Sequence, residues 1–308
     1  RSRHGSLANF RVAAWLDDPA CPVAADVATV LDEAVTALER AGAAIDRRAR
    51  PEIAFDEVNR IGLPLISAAT SPGRTDEEFA TMASLAADPP ADADPVRVMR
   101  ARASAVHHRT WALQTEERER IRARWAEFFA ATDIVLCPVS PTAAFAHQHG
   151  GTVYDRTITI DGEQRPYVDI LKWTSFIGFA YLPSTVVPVG VTASGLPVGI
   201  QVVAPFLGDR TALTFARHVE TICGGYQPPR SVEVPGTDVA EGGGQRALAA
   251  ERLRAASRMV SAVSGNSTSR VRNSSIDRTD TTVVAVVVTV APRRRPCSPN
   301  SLSSAISP

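Results

Sequence analysis

Between residues 24 and 41 the apolar side chains Val27, Val30, Leu31, Val35 and Leu38 recur every three or four positions, the spacing that places them on one face of a helix. Gly42 stands just beyond, where a helix C-cap belongs. Two short apolar runs flank this segment, residues 10–16 (FRVAAWL) and 43–50, and both read as strands, the first closed by the turn signal Asp17-Asp18-Pro19. Strand, helix and strand within about 40 residues make the βαβ pattern, which implies a parallel sheet covered by helices.

Residues 52–90 read as helix in pieces, interrupted at Pro64, at Ser71-Pro72-Gly73 and at Asp88-Pro89-Pro90. After a loop over residues 92–95, the pattern predicts one long helix over residues 96–131, whose charged run 116–124 reads as a solvated face with ion pairs one turn apart. Residues 134–137 are a buried strand stopped by Pro138 and Pro141. Turns at Gly150-Gly151 and Asp161-Gly162 predict a hairpin within residues 147–165. Residues 186–191 and 198–203 are two apolar strands around Ser194-Gly195, and Asp209 caps a helix running to Ile222.

Beyond Tyr226 the composition changes. Residues 1–230 read as one α/β unit, whereas residues 231–308 are rich in Ser, Arg, Thr, Gly and Pro and are expected to be a disordered, low-complexity tail. Within that tail lie one helical stretch (245–263) and one apolar patch (283–290) too short to span a bilayer.

The 33 basic and 33 acidic residues cancel, so the chain lacks the electrostatic footprint of a nucleic-acid binder, and no nucleic-acid partner is expected. The absence of any apolar run of about 18 residues excludes a membrane-spanning helix as an expectation. Cys21, Cys137, Cys223 and Cys297 are too scattered for a zinc site or a disulfide framework, which favours a reducing, cytoplasmic setting. The chain opens Arg1-Ser2-Arg3-His4 with neither methionine nor an apolar leader, and the expectation is that upstream sequence is missing.

Two segments carry a resemblance. The first is Asp133-Ile-Val-Leu-Cys-Pro138-Val-Ser-Pro141-Thr-Ala-Ala-Phe145, an acidic residue, a buried strand and two prolines three apart. The second is Pro183-Ser-Thr-Val-Val-Pro188-Val-Gly190, followed by Gly195-Leu-Pro-Val-Gly-Ile-Gln201 and the helix opened by Asp209. In this order, and with the opening Leu7-Ala-Asn-Phe-Arg-Val, they resemble the C-terminal half of amidase-signature enzymes over residues 7–226. That resemblance implies an α/β fold, a mixed central sheet covered by helices on both faces, incomplete in this chain, and hydrolysis of carbon-nitrogen (amide) bonds in a small-molecule substrate. Apart from family, Pro138, Pro183, Pro188, Gly195 and Gly199 have an architectural reading, ending or bending strands without leaving unpaired donors. Where the family commonly shows Asn followed three residues later by Gly, this chain has Gly178 and Tyr181.

The family is understood to use a serine nucleophile, a second serine as proton relay and a neutral lysine as base, a combination that activates a hydroxyl and needs backbone donors for the oxyanion. The chain holds no Gly/Ser-rich loop of that kind in residues 1–230, and its only lysine is Lys172, which reads as a solvated or rim residue. No catalytic residue, metal or cofactor is therefore assigned. His147 and His149 lack a carboxylate at ligand spacing, His107 and His108 read as a partly buried helix face near Trp111, Ser140 lacks the Gly-x-Ser-x-Gly elbow, and Asp17 and Asp18 read as turn formers.

The resemblance leaves one binding segment between its two motifs. Trp173, Thr174, Phe176, Ile177 and Tyr181 are the candidate substrate-pocket residues, for shape and not for bond breaking. Two other readings stand beside the hydrolase: an inactive, truncated chain, and a transamidase subunit similar to the aminoacyl-tRNA amidotransferase. A homo-oligomer stays open, since half of a continuous sheet exposes strand edges.

Overall fold

The computed structural model describes residues 2–227. The first strand, β1 (Arg11–Ala14), lies between Phe10 and Trp15, five positions apart and so directed to opposite faces of the sheet. Phe10 meets Phe215 edge to face, while Trp15 meets Phe55 and Trp173. These three ring contacts already fix helices on both sides. α1 (Ala25–Arg40) buries the predicted stripe, and Gly42 beyond it takes φ +96°, the left-handed turn that ends the helix. β2 (Ala44–Asp46) then pairs parallel with β1, as the βαβ pattern requires.

α2 (Phe55–Thr70) carries Pro64 in its interior without ending there, against the expected interruption. The proline ring crowds the carbonyl of Arg60 and removes one helical hydrogen bond. Val58, Ile61 and Leu65 are nevertheless buried on both sides of it, so packing holds the helix through the defect. α3 (Asp76–Ala87) starts with a capping box between Thr75 and Glu78. The single helix expected over residues 96–131 is two: α4 (Pro95–Ser104) and α5 (His108–Ala131). Nothing in Ala105-Val106-His107 is a helix breaker; the break is tertiary, because α4 turns to pack on α2 and α3 while α5 packs on α2.

β3 (Ile134–Pro138) is buried at every residue and pairs parallel with the other side of β1. The predicted hairpin forms as β4 (Thr157–Ile160) and β5 (Glu163–Pro166), turning at Asp161-Gly162 and standing apart from the main sheet. A 3₁₀ turn and α6 (Lys172–Phe179) lead to β6 (Ser184–Val191) and β7 (Pro197–Val203). β7 is antiparallel to both β3 and β6, giving the mixed order β2-β1-β3-β7-β6. The last helix, α7 (Asp209–Cys223), has Gly208 at its N-cap, so Asp209 sits inside the first turn, where it complements the helix dipole instead of capping it. α1 and α7 cover the Phe10 face; α2, α5 and α6 cover the Trp15 face.

At the start of β1 and β3 lies a buried carboxylate. Asp133, 1% exposed, accepts from the Arg11 backbone N–H (3.0 Å), from the Arg11 guanidinium and from Arg3 (2.9 Å), while its own N–H donates to the Arg11 carbonyl. Burial by itself would raise its pKa, but the hydrogen bonds from Arg11 and Arg3 outweigh that and hold the group well below the usual carboxylate range. The readings of residues 231–308 as a tail, with its helix and apolar patch, lie outside the described residues.

Candidate functional site

Ligands of α/β sheets gather beyond the carboxyl ends of parallel strands, here the loop after β1 and the segment after β3. Asp17 and Asp18 form turns in that loop, accepting from the Val23 and Ala20 amides at 3.3 and 2.9 Å. Arg165 and Lys172 tie the same loop down. Arg165 donates to Asp169 at 2.9 Å and to the Pro22 carbonyl at 3.0 Å, and Lys172 pairs with Asp169 at 3.1 Å and reaches the Ala20 carbonyl at 3.4 Å. Lys172 is thus half-buried and engaged, not a solvated rim residue. Burial pushes the Cys21 thiol beneath it up to about 11, so it stays protonated and is a poor nucleophile. Among the described residues, Ser140 has only the Thr142 amide, at 3.5 Å, against its hydroxyl. His147 and His149 are both exposed, and among the described residues no group of His, Cys, Asp or Glu suits a metal ion. His107 and His108 are exposed and not partly buried; His108 stacks on Trp111.

The five candidate pocket residues separate into two sets. Trp173, Phe176 and Ile177 point into the core, where Trp173 is 0% exposed and joins Trp15, Phe55, Phe176 and Trp125 in a continuous aromatic cluster. Thr174 is half-buried, its hydroxyl donating to the Leu171 carbonyl, and Tyr181 is 49% exposed. The outward part of the segment is therefore its C-terminal end.

A cavity of about 750 Å³ opens between α2, α4 and the start of α5. Leu63 and Pro64 on α2, Val98 and Met99 on α4, and Thr110 and Gln114 on α5 form much of its wall. Gln114 continues into Arg118 and Arg122, one and two turns further along α5. Their guanidiniums lie over the Tyr181 ring at 4.7 and 5.2 Å, and Arg122 also lies over Phe206 at 4.6 Å. Elsewhere in the charged run, Arg124 pairs with Glu57 and Glu117 with Arg60, both on α2. The run is a solvated face only in part: Glu116, Glu119 and Arg120 are exposed and the pairs Glu116–Arg120 and Glu119–Arg122 lie one turn apart as expected, while the rest docks α5 on α2 and presents two arginines to the Tyr181 and Phe206 rings. The spacing 110, 114, 118, 122 was its visible signal.

A sequence model of the family described as Amidase matches residues 1–213. The chain belongs to the amidase family. Curated relatives include a Glutamyl-tRNA(Gln) amidotransferase subunit of Leptospira interrogans, 32% identical over 114 residues, which is 37% of this chain and 21% of that protein. Another is the Fatty-acid amide hydrolase 2-A of Danio rerio, 28% identical over 114 residues, 37% of this chain and 19% of that protein. The matches thus span about a fifth of the length of these relatives. Among solved structures, a bacterial aryl acylamidase of the amidase signature family aligns with a TM-score of 0.52 at 17% identity, over 70% of this chain and 44% of that one. A second, a crystal structure of an amidase, aligns at 0.51 and 18%, over 69% and 45%. These two likenesses show the amidase fold.

The departure at Tyr181 now has a conformational meaning. Tyr181 has φ +58°, and its amide donates to the Gly178 carbonyl while the Leu182 amide reaches that of Ile177, the double bond of a Schellman turn. Glycine takes this left-handed position freely; a tyrosine there costs about 1–2 kcal/mol. Stacking of two guanidiniums on its ring offsets that by about 0.5–2 kcal/mol. Tyr181→Ala, which keeps the strain and loses the ring, is expected to be less stable than Tyr181→Gly by about 1 kcal/mol, measured as the difference in urea midpoint. Equal midpoints would mean that the turn relaxes when the ring is removed.

Proposed function

We propose that this chain supplies the second half of the catalytic domain of an amide-bond hydrolase: the strands β3, β7 and β6, the helices behind them and one side of the substrate pocket, with no bond-breaking group of its own. The family match over residues 1–213 carries the reading. It is supported by the chemistry available, since the only lysine is held against Asp169 and the Cys21 thiol is protonated at neutral pH. In this reading Trp173, Phe176 and Ile177 form the rigid backing of the α6 segment, and Thr174 and Tyr181 are the pocket side of it. Their part is shape and placement of the acyl or amine portion of the substrate.

The amidotransferase relative favours a second reading, a transamidase that first releases ammonia from an amide donor. One experiment addresses both. The 308-residue chain and a form extended upstream along its coding sequence are assayed with a panel of aryl amides and with glutamine. Release of arylamine by the extended form alone supports the hydrolase; release of ammonia from glutamine alone supports the transamidase. Turnover by the 308-residue chain itself would overturn the assignment of the bond-breaking groups to sequence outside it, and failure of the extended form on every amide would overturn both.

A further inference from the structure

We propose that the β4–β5 hairpin is a latch over the loop that follows β1, and that it opens as a unit, without global unfolding, to uncover the carboxyl end of that strand. The inference does not draw on the hydrolase reading. It rests on how the loop and the start of α1 are held.

Residues 20–24 belong to no helix or strand, and Ala25 opens α1. The Ala24 amide donates to the Pro141 carbonyl at 2.7 Å, and the Pro22 carbonyl accepts from Arg165 at 3.0 Å. α1 has no cap of its own: Ala24 stands at its N-cap and offers no side-chain acceptor, where Ser, Thr, Asp or Asn would ordinarily serve. That place is filled from 136 positions along the chain by Asp161, whose carboxylate accepts from the Ala25 amide at 3.0 and 3.3 Å. Asp161 is at the hairpin tip, with φ +49°, followed by Gly162 with φ +85°, the left-handed pair of a tight two-residue turn. The cap is therefore presented by a stiff tip on a separate element.

That element is lightly attached. Among the described residues the hairpin pairs with no strand of the main sheet, and its buried apolar side chains are Ile158 and Ile160. Gly150 and Gly151 precede it, both exposed, with Gly151 at φ +61°, a natural pivot. Opening gives up two isoleucines, one helix cap and the Arg165–Pro22 bond, a small part of what global unfolding gives up. The Arg165–Asp169 pair joins residues four apart in the same segment and need not break.

The latch has a reporter beneath it. Cys21 is 0% exposed in the held loop, with Lys172 and Arg165 the cations facing its thiol. Cys137, in the middle of the sheet on β3 and also 0% exposed, reports opening of the sheet itself.

The test is pulsed alkylation of the full 308-residue chain with iodoacetamide, read peptide by peptide by mass spectrometry, each cysteine scaled to its rate in the urea-unfolded chain. Cys21 is expected to react at least about ten-fold faster than Cys137, with a weaker dependence on urea, because a local opening exposes less surface than unfolding. Asp161→Gly keeps the turn and removes only the cap; it is expected to speed Cys21 about five-fold and leave Cys137 unchanged. Asp161→Asn, an equivalent cap that also tolerates left-handed φ, is expected to restore the wild-type rate. Equal scaled rates and equal urea dependence for Cys21 and Cys137 would overturn the latch, as would Cys21 reacting in the wild-type chain as fast as in the unfolded one. So would an Asp161→Gly variant that leaves Cys21 unchanged or speeds both cysteines alike, or an Asp161→Asn variant that behaves like Asp161→Gly.

Discussion

Trp173→Ala is expected to destabilise the fold by about 3–5 kcal/mol, the range for truncating a large buried ring. Its indole is fully enclosed and meets Trp15 and Phe55 edge to face at 5.4 and 5.0 Å. Such pairs add about 0.5–1.5 kcal/mol each beyond the area they bury. The Trp173 Nε1 has no hydrogen-bond partner among the described residues, so Trp173→Phe, which removes an unsatisfied donor and keeps most of the ring, should cost far less than the alanine change. Urea unfolding followed by circular dichroism distinguishes the two variants. A Trp173→Ala chain with an unchanged midpoint would show that the ring lines open space and not the core. The result decides how the α6 segment takes part in any pocket, since a residue that holds the wall from behind alters stability first and substrate preference only through it.

The second large effect is expected at Asp133. Its carboxyl has a folded-state pKa below the unfolded value of about 4. The folded state therefore binds fewer protons than the unfolded state in that range. The resulting stability is fully present above the unfolded pKa and is lost as pH falls from about 4 through the folded pKa. Asp133→Asn is expected to lower stability at pH 7 by about 2–4 kcal/mol, less than for a wholly buried pair because the Arg3 and Arg11 side chains reach solvent. It should also flatten the acid limb of the stability curve below pH about 4. Thermal melts from pH 3 to pH 7 check both. An unchanged acid limb in the variant would place the responsible carboxylate elsewhere.

Most of the sheet was legible in the sequence because its strands are short apolar runs with proline or glycine at their ends, and because the stripe of α1 has an unambiguous helical period. The elements that departed from expectation are those whose form is decided by distant partners. Pro64 reads as a stop by every local rule, yet Val58, Ile61 and Leu65 bury enough surface to carry α2 through it. Residues 105–107 carry no breaker, and only the packing of α4 on α2 and α3 reveals the break. For the candidate pocket segment, sequence offers a position along the chain but not a direction. A helix segment between two strands has one face in and one face out, and which of Trp173, Thr174 and Tyr181 faces outward depends on where α6 begins its turn. Arg118 and Arg122 were hidden by their company: in a run of alternating charges, composition cannot tell a guanidinium facing water from one lying on an aromatic ring.

Tyr181 binds two properties of this molecule to one codon. The backbone at that position favours glycine, whereas the arginine pair beneath it favours a ring. Drift toward glycine would ease the turn while uncovering the guanidiniums, and drift toward another aromatic residue would keep the cover at the same backbone strain. The ease of the turn and the cover over the arginine pair therefore cannot be changed independently there: any substitution at this one position alters both.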